Sequence, residues 1–431
     1  MCESWINSVV QKMGISSTLR ANQMQKEPRY KDAISLGFGV SPFPPPACLV
    51  ERVREFADKT EYLPSAGLPS LREAIALMHS ERYDHHYVPE NVLVGPGSKQ
   101  LMYLLQSCLR QNVQTFVTTP AWVSYTPQCQ LLRRKVRKLR TTFFDDWRLT
   151  PQTVAKHFHG DPSQARLLIL NAPCNPTGTT YTREQVRDLA SSLRNTNTIV
   201  LLDEIYADLT FGDAHASLAQ EIPAQCIVVS GISKALSAGG YRLGYMVFPS
   251  ELAPLASAIT KVASETHSCA PSVFQYAYDA VLRHHAPALA EYQLGCRRVI
   301  DALCAHASAA FCAHHVRCVV PGGAWYILLD FIHCKHFLAH HNIDSGPRLC
   351  DAILRNTDVF ILHDRAFCVG NNDIVARVSL VDFDGQRCLA NLPPQNIAID
   401  NAWLQTYCPR VMDGVDRICG YIAKLAACAV E

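Results

Sequence analysis

The sequence predicts an α/β protein: a mainly parallel, doubly wound sheet in a large domain, joined to a smaller α+β domain. Three observations lead there. Over residues 91 to about 245, short apolar runs alternate with amphipathic stretches, the sequence form of repeated βαβ units. After Pro321-Gly322-Gly323 the alternation gives way to separate strand-like runs at 325–331, 359–362 and 374–380, with a helix between the first two. A length of 431 residues also exceeds what one hydrophobic core usually organises, so two domains are expected.

Taken in order, Val92-Leu93-Val94 is a strand leading through Gly95-Pro96-Gly97 into a helical run at 98–109. Phe116-Val117 is a strand ending in a Thr119-Pro120 turn. The basic run Arg133-Arg134-Lys135-Val136-Arg137-Lys138 reads as a solvated edge or helix face. The apolar runs 166–170 and 198–202 are buried strands, and each is followed by a polar cluster. Further strands precede Lys234 and cover 243–248. Residues 270 to about 310 carry apolar residues at spacings of three and four and read as one long helix. The segment 397–427 contains the closing helix, after the Pro393-Pro394 break.

Composition excludes several classes. A hydrophobic content of 48% with 18% charged residues is globular rather than disordered, and a net charge of +2 implies neither a nucleic-acid nor an anionic-membrane partner. No apolar stretch approaches the ~18 residues that span a bilayer. Residues 1–11 lack the basic-then-apolar order of a secretory signal. Eighteen cysteines without a Cys-x-x-Cys pair argue for reduced thiols in the cytoplasm. The doublets His85-His86, His284-His285, His314-His315 and His340-His341 read as surface histidines, not metal ligands, because adjacent side chains diverge.

Chemistry concentrates in Ser230-Gly231-Ile232-Ser233-Lys234-Ala235-Leu236-Ser237-Ala238-Gly239-Gly240-Tyr241-Arg242. A lysine after an apolar strand, among small residues and eight positions before an arginine, suits pyridoxal phosphate. The lysine offers a Schiff-base amine, the small residues admit the cofactor to the backbone, and the arginine can fork onto a phosphate. The clusters Asn171-Ala172-Pro173-Cys174-Asn175-Pro176-Thr177-Gly178 and Asp203-Glu204-Ile205-Tyr206 lie at the carboxyl ends of strands, where open α/β sheets place ligands. Arg377, in Val375-Ala376-Arg377-Val378-Ser379-Leu380, completes an ordered set of four motifs.

In order and spacing this set resembles the class I and II aminotransferases, the fold-type-I pyridoxal-phosphate enzymes, over residues 35 to about 380. Its closest match in motif is to the bacterial aspartate aminotransferases. The resemblance implies a seven-stranded sheet in a large domain at 45–315, with 1–44 and 316–431 forming the small domain. It also implies a homodimer with shared active sites. Lys234, Asp203 and Tyr206 become the catalytic residues of a Lys234 aldimine. Asp203 would face the pyridinium nitrogen, and Tyr206 and Asn175 the phenolic oxygen. Trp122, in Pro120-Ala121-Trp122-Val123-Ser124-Tyr125, would stack on the ring. Gly97, Ser98, Lys99, Ser233 and Arg242 would hold the phosphate end, and Tyr62 would reach the partner subunit's phosphate. Arg377 would bind the substrate α-carboxylate, with Gly39, Trp122 and Asn175 around it. Lys99 would point along the cleft to an acidic side chain, or else run out to solvent, and Ser16-Ser17-Thr18 resembles a segment that covers that end of the site.

The chain departs from the family pattern in three places. Gly231 stands where many relatives have a phosphate-binding serine. Gly39-Val40-Ser41-Pro42 replaces the common Gly-Glu-Pro-Asp, and His363-Asp364-Arg365 replaces a frequent Pro-Gly; these two are expected on the substrate side. The expected reaction is amino transfer from an L-amino acid to a 2-oxo acid. Two alternatives share the pocket: an elimination enzyme, such as a carbon–sulfur lyase or aminocyclopropane-carboxylate-synthase relative, and a non-catalytic regulator. Product analysis separates the first, and the second lacks a basic N-terminal domain for DNA.

Overall fold

A computed structural model describes residues 5–15, 30–158, 161, 163–212, 214–369 and 373–428. Its main sheet contains β2 (Val92–Gly95), β3 (Gln114–Thr119), β4 (Val136–Arg140), β5 (Arg166–Asn171), β6 (Thr198–Asp203), β7 (Cys226–Gly231) and β8 (Gly244–Val247). They lie in the order β2-β8-β7-β6-β5-β3-β4. Only β8 runs antiparallel to its neighbours; the rest pair in parallel. Helices cover both faces, so β5 and β7 are buried throughout and read as continuous apolar runs. Alternate residues feed opposite cores. Leu168, Leu170, Val200, Leu202 and Val228 enter one, and Leu167, Ile169, Leu201, Ile227 and Val229 the other.

Register positions the site. Asn171 pairs with Asp203 and Asp203 with Val229, which brings the carboxyl ends of β5, β6 and β7 side by side. The basic run at 133–138 leads into β4, an edge strand with exposed Arg137, Lys138 and Arg140. Edge charges discourage pairing with another chain.

Beyond the main sheet, β9 (Tyr326–Asp330), β11 (Leu362–His363) and β12 (Val375–Ser379) form an antiparallel sheet in the order β11-β12-β9. Separately, β1 (Ile34–Ser35) pairs in parallel with β10 (Val359–Phe360). The run expected at 359–362 is therefore two short strands in different sheets. The short helix Ser8–Gln11 lies against the helix Tyr125–Leu131, and the Ser16-Ser17-Thr18 segment falls outside the described residues.

The long helix expected at 270 to about 310 is broken, whereas the segment 397–427 contains the expected closing helix with a short one before it. Ser272–His284 and Ala286–Ala313 are separate because Pro287 has no N–H to continue the ladder through His285. Asn401–Tyr407 and Pro409–Ala427 are separate because Pro409 disfavours a helical Cys408. Helices Ala286–Ala313 and Pro409–Ala427 pack Val299, Ile300, Leu303, Val411, Val415 and Ile418 into one core with Trp325, Ile327 and Leu329. All eight histidines of the doublets are exposed or half-buried.

Candidate active site

The ends of β5, β6 and β7, together with β12, surround a cavity of about 560 Å³. Lys234 sits on the single helical turn Ile232–Ala235 after β7, and its Nζ donates to Gly39 O at 2.9 Å. Asp203 closes β6. Its Oδ2 accepts from the Tyr125 hydroxyl at 2.6 Å and its Oδ1 from Ile205 N at 3.3 Å. Burial pushes the Asp203 carboxyl up to about 6, against the pull of those hydrogen bonds. Asn171 ties the neighbouring loops together: its amide donates to Asp203 O at 2.7 Å and its Oδ1 accepts from Asn175 N at 2.7 Å.

Arg377 projects from β12 and is 1% exposed. It donates to Asn175 Oδ1 at 2.8 Å and to Gly37 O at 2.6 Å, while the rings of Tyr326 and Phe367 lie 4.5 and 4.9 Å from its guanidinium carbon. Among the described residues its Nε has no hydrogen-bond partner. Burial lowers its affinity for its proton. A buried guanidinium satisfied only by neutral acceptors is a site awaiting an anion. The Tyr206 hydroxyl lies 2.7 Å from that of Tyr326, and burial drives the Tyr206 phenol well above its ordinary value.

At the other end, Gly97 caps the helix Ser98–Cys108 with φ of 95°, a conformation that favours glycine, so the first helical amides open toward the cavity. Arg242 packs over Gly97 so closely that a side chain there would overlap its guanidinium. Gly244 lets β8 pack directly on this turn, since a Cβ there would collide with the backbone of Gly97 and Ser98. Arg242 donates to Gly239 O at 2.7 Å and Pro96 O at 3.3 Å. Trp122 lines the wall, and the Lys99 ammonium stands 5.0 Å from its ring centroid. Partial burial, then Arg242 and Lys234, lower the Lys99 pKa.

The structure brings together Gly39, Ser98, Lys99, Trp122, Asn175, Asp203, Tyr206, Ser233, Lys234, Arg242 and Arg377 around this cavity. Two expected residues stand apart. Gly97 lies behind Ser98 rather than on the wall, and Tyr62, 89% exposed, does not line the cavity of its own chain. Of the departing segments, Gly39-Val40-Ser41 lines the cavity and His363-Asp364-Arg365 does not, because those three lie in β11 and the turn after it. Gly231 has a packing reason: a Cβ would meet Leu243 O at 2.7 Å and Gly244 Cα at 2.8 Å, leaving a serine no room. Sequence reasoning missed Asn171, Tyr125 and Tyr326 as site residues. Each stands inside or beside a motif; the polar groups of Asn171 and Tyr326 at strand ends, and of Tyr125 at the start of a helix, were the available signal.

A buried carboxylate, a lysine amine and a helix N-terminus with an arginine suit the ring nitrogen, aldehyde and phosphate of pyridoxal phosphate, and Gly240 on the cavity wall has open space where a Cβ would stand. Comparison with known proteins agrees. Residues 31–374 match the family model described as aminotransferase class I and II. Aspartate aminotransferase from Bacillus sp. (strain YM-2) is 29% identical over 363 residues, covering 82% of this chain and 89% of that one. The enzyme of the same name from Geobacillus stearothermophilus is 31% identical over 271 residues, 61% of this chain and 67% of that one. The solved aspartate aminotransferase of Thermotoga maritima superposes with a TM-score of 0.78 at 25% identity, over 97% of this chain and 100% of that one. Among the described residues no helix is long and apolar enough to cross a membrane. From the family match, these relatives and the shared fold, the chain belongs to the class I and II aminotransferases, whose cofactor is pyridoxal 5′-phosphate.

Proposed function

We propose that this aminotransferase takes a dicarboxylic donor of the aspartate or glutamate type and passes its amino group to a 2-oxo acid. Cavity charge carries the reading. Lys99, Lys234, Arg242 and Arg377 face a single lining carboxylate, Asp203, and Arg377 is buried on neutral acceptors alone. A dicarboxylic amino acid and a phosphate ester bring the anions that such a cavity lacks.

Each residue takes the role its position suits. Bound pyridoxal phosphate supplies an aldehyde and an electron-accepting ring. Asp203 would hold a proton on the ring nitrogen, and Tyr206 and Asn175 would donate to its phenolic oxygen. Trp122 covers the ring and excludes water. Ser98, Ser233 and Arg242 hold the phosphate. Arg377 takes the α-carboxylate, and Lys99 the carboxylate of the side chain. Lys234, whose amine opens onto the cavity, would hold the cofactor's aldehyde and is placed to carry the proton of the substrate's Cα.

The same reading makes the protein a cytoplasmic homodimer, with domains at 45–315 and at 1–44 plus 316–431. Tyr62 supports the dimer: an aromatic residue so exposed and outside its own cavity is free to serve the site of a second copy. The test is product analysis. Cofactor-loaded protein given L-aspartate and 2-oxoglutarate should form oxaloacetate and glutamate. A second assay with L-cysteine, whose β-thiol can leave, separates elimination: release of pyruvate, ammonia and sulfide would assign it, and absence of transfer from any acidic donor would overturn the aspartate reading.

A further inference from the structure

We propose that Tyr125 is a positioning residue whose hydroxyl orients the Asp203 carboxylate and keeps it charged for the cofactor's ring nitrogen. The inference rests on the pyridoxal-phosphate reading of the cavity. Tyr125 begins the helix Tyr125–Leu131, is buried, and meets Asp203 Oδ2 at 2.6 Å. That length lies in the range of a charge-assisted O–H···O⁻ bond. The other oxygen receives only Ile205 N, at 3.3 Å. Asn171 holds the Asp203 backbone but does not touch its carboxylate. Tyr125 is therefore the one side chain among the described residues that donates to this carboxylate.

The remaining titratable groups around Asp203 do not replace it. Glu204, the residue after β6, opposes the charge, and Lys234 favours it from the helical turn after β7. Cys174, from the loop after β5, and Tyr206 stay neutral because burial raises both. Tyr125 also remains a phenol, since burial and then Asp203 push its pKa well above the ordinary value. Its ring contacts Trp122 edge-on at 5.2 Å, so one short segment supports both the ring-covering residue and the charge opposite the ring nitrogen.

The test is equilibrium binding of pyridoxal phosphate to apoprotein, followed by fluorescence from about pH 5 to about pH 8, for wild type, Tyr125→Phe and Asp203→Asn. Wild-type affinity should fall as pH drops through about 6, where Asp203 gains a proton. In Tyr125→Phe the fall should begin at higher pH, leaving affinity roughly 5–10-fold weaker at neutral pH and near wild type at the alkaline end. Asp203→Asn should lose that limb. The cofactor's own phosphate titrates alike in all three and cancels. Coincident curves for wild type and Tyr125→Phe, a loss uniform across pH, or a limb that persists in Asp203→Asn would each overturn the proposal. Wild-type protein that binds no pyridoxal phosphate at any pH would sink the underlying cofactor reading itself.

Discussion

Asp203 and Glu204 are consecutive buried carboxylates at the end of β6, and they are treated in opposite ways. Glu204 leaves the cavity and accepts hydrogen bonds from the Tyr83 and Ser217 hydroxyls, with His215 Nε2 3.2 Å away. Burial raises its pKa, but the His215 charge and these donors outweigh burial and bring it below the ordinary value. Asp203 faces the cavity with two donors, and burial wins, up to about 6. One carboxylate is satisfied by the fold. The other is left short of partners, and that shortfall is what a protonated ring nitrogen would fill.

Substitution breaks the pair apart. Asp203→Asn should cut turnover roughly 10²–10³-fold while cofactor-free protein still folds. Glu204→Gln should keep cofactor binding and cost about 1–3 kcal/mol of stability through the weakened network. Their pH profiles should have opposite signs. The folded-state pKa of Asp203 lies above its unfolded value, so its protonated form contributes stability at low pH that is lost as pH rises through about 6. Asp203→Asn should thus stabilise apoprotein at neutral pH, by on the order of 3 kcal/mol for a shift of about two units. Glu204, lowered, contributes stability above its unfolded value that is lost as pH falls through its folded value. Urea unfolding of both apoprotein variants across pH measures this; parallel profiles would refute the contrast.

A smaller effect is expected at the rim. Lys99→Ala should lower kcat/KM for aspartate or glutamate about 10–150-fold and leave neutral donors nearly unchanged. Equal losses for both classes would place Lys99 with the cofactor or the fold.

How much of this was legible follows from which signals are local. Central strands show as apolar runs, so the clusters beginning at Asn171 and Asp203 could be placed at strand ends without a structure. The basic run before and within β4 left the choice of edge or helix face open, because exposed Arg137, Lys138 and Arg140 mask the strand alternation. The break at Pro287 was read through because helical periodicity continues on either side of it. Tyr125 lay inside a quoted segment, but its bond to Asp203 spans 78 residues, and sequence spacing does not report such a contact.

The central claim is that Lys234 holds the cofactor opposite Asp203. Borohydride reduction of the cofactor-loaded protein, followed by peptide mass mapping, tests it directly. The pyridoxyl-phosphate mass should appear on the peptide carrying Lys234 and should disappear, together with turnover, in Lys234→Ala. Attachment to Lys99 or any other lysine in the wild-type protein would contradict it.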